Sequence, residues 1–157
     1  MMQTDQSALA YTARRDVSAQ WRDFLRAMLD TLDATMQRDS RDNLLRAIGQ
    51  RFAAAMPLPA SDTLAALEVR MNEALAAASW GHVLLELDQR ENTLRIVHSA
   101  APCISTPGDD TGAWVAPVLE GLYSNWFGAQ PGGEGDTGIT VRLLALEPGL
   151  ATLRYGS

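Results

Sequence analysis

His82, His98 and Cys103 are the residues of this chain best suited to bind a metal or to act as nucleophiles. Structural zinc sites draw four ligands from closely set pairs, and these three residues form no such spacing. Each histidine stands alone in an alternating run, where it reads as a satisfied core or rim side chain. A nucleophilic cysteine needs a base and oxyanion donors beside it; Cys103 reads instead as a buried structural residue. Glu86 and Asp88 merit a closer look as a carboxylate pair. Residues two apart on a strand are separated by about 6.6 Å, and glycoside hydrolases hold their acids about 5–9.5 Å apart. The spacing is permissive, but both acids alternate with Val83, Leu85 and Leu87, the pattern of a sheet wet on one face. Gly132-Gly133-Glu134-Gly135 precedes a strand, the wrong context for a phosphate cradle at a helix N-terminus. The expectation is a protein with no catalytic residue, no metal and no cofactor.

Aromatic residues carry more signal. Trp114, Tyr123 and Trp126 share one predicted helix and Trp21 sits on another. Rings at apolar helical spacing fill cores or subunit interfaces more often than they stack on sugars. These four are therefore the expected interface anchors.

The elements that would position them follow from periodicity. Val17, Trp21, Phe24, Leu25, Met28, Leu32 and Met36 make one helical stripe. Leu44, Leu45, Ile48, Phe52 and Met56 make a second, with Asp39 or Ser40 as its cap and Met56-Pro57-Leu58-Pro59 as its stop. A third helix carries Leu64, Leu67, Met71 and Leu75, capped by Ser61 or Asp62 and closed at Trp80-Gly81. The period then becomes two. Strands are predicted around 83–88 and 94–98, joined through Gln89-Arg90-Glu91-Asn92. A fourth helix starts near Ala113, with Asp109-Asp110 as the acids favoured at its N-terminus. Two last strands, Ile139–Ala145 and Leu150–Tyr155, flank the turn Glu147-Pro148-Gly149. The order is ααα-ββ-α-ββ. This predicts an α+β fold: three N-terminal helices, then an antiparallel sheet of two hairpins with one intervening helix. The whole of 1–157 reads as a single domain, with residues 1–15 as a mobile arm.

Charge narrows the function class. The net charge is -6, and all 13 basic residues are Arg. Residues 1–60 hold eight Arg against seven acids, and residues 61–157 hold five against twelve. An acidic second half argues against nucleic acid, which needs clustered cations. No apolar run reaches the ~18–20 residues of a membrane span, so no membrane insertion is expected. Long amphipathic helices on a small sheet leave spare apolar surface, which suggests self-association.

The strings Leu94-Arg95-Ile96-Val97-His98-Ser99, Ala101-Pro102 through Pro107-Gly108-Asp109, and Trp114-Val115-Ala116-Pro117-Val118-Leu119-Glu120-Gly121-Leu122-Tyr123 with Trp126-Phe127 resemble the bacterial cellulose synthase D-subunit family along nearly the whole chain. The resemblance implies a non-catalytic accessory subunit of the cellulose synthase complex. Such subunits support export and ordered crystallisation of cellulose, as dimers that combine into a ring-shaped homo-octamer. It further implies partners among the other synthase subunits, and passageways for β-1,4-glucan lined by the N-terminal segment. Carried over, Gln3, Thr4, Gln6, Ser7 and Tyr11 would face the glucan. Short neutral groups that exchange with water suit a chain that must keep moving.

The first residues show no basic region followed by an apolar stretch, the pattern of an export signal. A cytoplasmic place near the inner membrane is therefore expected, a periplasmic one being the alternative. Two rival functions fit the same features. One is an acidic dimeric secretion chaperone, favoured by the charge of the second half. The other is a small-molecule-binding module with a pocket between helix and sheet.

Overall fold

The structure is a computed structural model and describes residues 17–133 and 138–156. The arm of residues 1–15, with Gln3, Thr4, Gln6, Ser7 and Tyr11, lies outside the described residues.

The described chain runs α1 (Ala19–Thr35), α2 (Arg38–Ala54), α3 (Leu64–Ala78), β1 (His82–Asp88), β2 (Thr93–Ser99), α4 (Val115–Ala129), β3 (Val141–Glu147) and β4 (Leu150–Tyr155). This is the α+β order the periodicity predicts. All pairings are antiparallel, in the spatial order β1-β2-β4-β3. The two hairpins thus join through their second strands.

Local chemistry explains most boundaries. Thr63, rather than Ser61 or Asp62, caps α3: its hydroxyl accepts from the Ala66 amide at 3.0 Å. The left-handed residue closing α3 is Ser79 (φ 56), which lets the Trp80 amide reach back to Leu75 O at 2.9 Å. Gly81 also has positive φ (103), but for a different reason: a Cβ there would strike the Ser99 carbonyl. Asp109 is the acid that starts α4, accepting from the amides of Ala113 at 2.7 Å and Trp114 at 2.9 Å. Pro117 falls in the first turn, where a missing amide hydrogen costs nothing. The last hairpin turns through Pro148-Gly149, with Gly149 at φ 81.

α4 is the centre of the molecule. It is buried nearly all round, packed by α2 on one side and by the inner face of the sheet on the other. That inner face presents Val83, Leu85, Leu94, Ile96, His98, Ala151, Leu153 and Val141. α2 meets α4 through glycine at both contacts. A Cβ on Gly49 would collide with the Val118 carbonyl, and one on Gly121 with the Arg46 carbonyl. The backbones therefore touch, and Arg46 Nε reaches Glu120 Oε1 at 2.9 Å.

The buried stripe of α2 is accordingly Arg41, Leu45, Gly49 and Ala53, one position away from the largest apolar residues. Leu44 and Ile48 remain exposed. α1 behaves likewise. It buries Leu29 and half-buries Leu25, Leu32 and Met36, leaving Trp21, Phe24 and Met28 in solvent.

Candidate functional site

The reactive-looking residues do not converge. His82 lies exposed on the outer face of edge strand β1, while His98 points into the core and Cys103 is buried in the loop after β2. No group of three or more His, Cys, Asp or Glu placed to hold a metal ion occurs among the described residues. Glu86 stands across from Arg95. Asp88 turns back to accept from the amides of Arg90 at 3.0 Å and Glu91 at 3.3 Å. One carboxylate of the pair is thus spent on its own hairpin.

His98 is held on both sides. Its Nε2–H donates to the Trp80 carbonyl at 2.7 Å, since a carbonyl can only accept. Nδ1 is left to accept from the Tyr123 hydroxyl. Burial lowers the pKa of His98 from 6.5 to about 4; the Trp80 bond acts in the opposite direction, and His82 adds a small lowering push. Burial likewise raises Tyr123 well above its ordinary value.

The folded pKa of His98 lies below the unfolded one, so on acidification the unfolded chain takes up the proton first. Stability is full above pH 6.5 and drains as pH falls toward about 4. The total loss is about 3 kcal/mol, of which about 2 kcal/mol falls between pH 6.5 and 5. Urea unfolding of His98→Gln at fixed protomer concentration is expected to show a flatter dependence over that window than the wild type.

Of the four aromatic residues expected at an interface, three are core. Trp114 donates its indole N–H to Ile104 O at 3.0 Å, Trp126 donates to Met56 O at 3.1 Å, and Tyr123 is sealed against His98. All three are buried within the single chain; of them only Trp114 reaches the wall of a surface groove. A ring on an apolar stripe has the same sequence signature in either setting. Trp21 is different: it is 54% exposed, next to Phe24 at 59%, with ring centroids 5.9 Å apart. It also lines a groove of about 660 Å³ with Trp80 and Trp114.

Residues that periodicity missed do the joining. Arg41, 2% exposed, contacts Asp33 at 2.9 Å, Asp42 at 3.0 Å and Asp109 at 3.9 Å. This single guanidinium ties α1, α2 and the cap of α4 together. Its position four residues before Leu45 on the buried stripe was the available signal.

Both edges of the sheet are partly covered by helix side chains. On β1, Asn72 accepts from the Val83 amide at 2.7 Å and donates to its carbonyl at 2.9 Å, while Glu68 accepts from the Leu85 amide at 2.8 Å. On β3, Ser124 Oγ accepts from the amides of Thr140 and Val141 at 3.0 Å each. Glu120 accepts from Leu143 at 2.9 Å. Strand addition, the usual hazard of exposed edges, is obstructed along those stretches.

What this surface presents, then, is a small α+β protein whose helices α1 and α2 carry exposed apolar side chains suited to contact with other protein surfaces. The family model for the D subunit of cellulose synthase matches residues 7–156. "Cellulose synthase operon protein D" of Komagataeibacter xylinus is 38% identical over 117 residues, spanning 74% of this chain and 75% of the relative. The protein of the same name from Komagataeibacter sucrofermentans is equally similar over the same shares. The chain belongs to the cellulose synthase D-subunit family. It is an accessory rather than a catalytic component of cellulose synthesis, with other subunits of that system as partners.

Proposed function

We propose that this chain is a non-catalytic, homo-oligomeric subunit that organises export and crystallisation of glucan chains as a ring-shaped scaffold or conduit. Dimers assemble into an octamer beside the inner membrane, on its cytoplasmic side. The observation that carries this reading is the exposed apolar face of α1, Trp21, Phe24 and Met28, with Leu44 and Ile48 one turn apart on α2. Trp, Phe and Met are enriched at the centres of interfaces. The partly covered sheet edges favour helix faces as the route for self-association.

Symmetry replaces reactivity in such a device: weak contacts repeated around an axis can align several polymer chains at once. Gln3, Thr4, Gln6, Ser7 and Tyr11 supply the polar lining in this scheme.

Light scattering tests the assembly. The wild type is expected at the mass of an octamer, and Trp21→Ser with Phe24→Ser at that of a smaller species with unchanged circular dichroism. A monomeric wild type overturns the proposal. Deleting residues 1–15 is expected to lower cellulose crystallinity while leaving the ring intact; unchanged crystallinity removes the lining role alone.

A further inference from the structure

The outer face of the sheet has a charge pattern that the contact proposed through α1 and α2 leaves unused. No described helix packs on it. Register places Arg95 of β2 directly opposite Arg154 of β4, and Arg154 directly opposite Arg142 of β3. Three of the five arginines in residues 61–157 thus form one row across adjacent strands, in a half-chain that holds twelve acids. Strand spacing of about 4.8 Å puts neighbouring arginines of the row inside one Debye length at physiological salt, about 8 Å.

Like charges directly opposite one another on a sheet are destabilising. Glu86 of β1 stands directly opposite Arg95, Asp88 lines the same hollow as Glu86 and Arg95, and among the described residues no ion pair neutralises any of the three arginines. Arg95 and Arg142 are exposed and Arg154 is half-buried. The adjoining row, Leu84, Val97, Thr152 and Ala145, is largely apolar. A flat strip of guanidinium beside a strip of aliphatic surface fits a protein ligand better than a purely ionic one.

We infer that this face is a docking site for a carboxylate-rich segment of another protein, laid across β2, β4 and β3 along Arg95, Arg154 and Arg142. Guanidinium binds carboxylate bidentately. The net charge of -6 disfavours a long polyanion such as nucleic acid or an anionic bilayer, because its flanking charges would meet the acidic remainder of the surface. A short acidic segment meets only the row.

The test uses the full chain and a fluorescein-labelled oligoglutamate, read by anisotropy at low salt, with oligoglutamine as control. Binding should fall steadily as salt rises. The triple variant R95Q/R142Q/R154Q should weaken it ~10-fold while the thermal midpoint stays level or rises, since the repulsion is relieved. Glu86→Gln keeps every arginine and should tighten binding ~2-fold. Any of these results overturns the proposal: oligoglutamine binding as well as oligoglutamate, wild-type affinity in the triple variant, or no gain in Glu86→Gln. A fall in particle mass for the triple variant also overturns it, because the face would then join copies of this chain. Loss of peptide binding with particle mass intact separates this inference from the ring reading.

Discussion

Replacing Gly121 with valine is expected to cost about 3 kcal/mol or more of stability and to leave little cooperative unfolding when combined with Gly49→Val. The reason lies in the crossing of α2 and α4. Even the first carbon of a side chain at either glycine would occupy the position of a carbonyl on the other helix. Backbone cannot rotate aside as a side chain can, so the helices must separate along their contact. Overpacking of this kind ordinarily costs about 1–3 kcal/mol, and here separation would also pull Arg46 from Glu120. Glu120 in turn holds the Leu143 amide, so the disturbance reaches the edge of the sheet. Urea denaturation followed by circular dichroism, at fixed protomer concentration because association adds to apparent stability, measures the effect. Gly132→Ala is the control: nothing lies within 4 Å of a Cβ there, though its positive φ imposes a small cost of its own. A Gly121→Val protein as stable as wild type would mean that the helices do not cross as described.

Arg41→Ala is expected to be nearly as damaging, at about 3–5 kcal/mol, the usual cost of removing one partner from a buried ionic cluster. Removal strands Asp33, Asp42 and Asp109 together with no cation among them. Asp33 is already short of partners, its Oδ2 being buried without a hydrogen bond. Arg41→Met, which keeps much of the volume, should recover little, because charge rather than bulk is missing. Adding Asp33→Asn to Arg41→Met should recover part of the loss by removing one repelling carboxylate. Denaturation midpoints of the three variants at pH 7 decide this. Equal midpoints for Arg41→Met and wild type would show that the cluster contributes no stability.

Strands and the order of elements were legible because alternation is local: Val83, Leu85, Leu94, Ile96 and His98 announce their own face. So was the acid that begins α4, since Asp109 needs only the next few amides. Helix faces were less legible. On α2 the stripe of large apolar residues through Leu44, Leu45 and Ile48 straddles the true contact, which uses Gly49 and Ala53. Hydrophobicity scales reward bulk, whereas a close crossing selects for its absence. The same limitation put Trp114, Tyr123 and Trp126 at an expected interface and left Arg41 unnoticed. The arginine row was hidden for another reason. Arg95, Arg142 and Arg154 are far apart in sequence, and only strand order and register bring them side by side.

A sheet whose edge amides at Val83, Leu85, Val141 and Leu143 are already occupied by Asn72, Glu68, Ser124 and Glu120 offers a neighbour little main chain along those stretches. In the ring proposed above, copies would meet chiefly through side chains, and contacts of that kind can release without melting either fold. Protomers of that proposed ring should therefore exchange between particles, and mixing two differently labelled populations would show energy transfer growing with time while helix content stays constant.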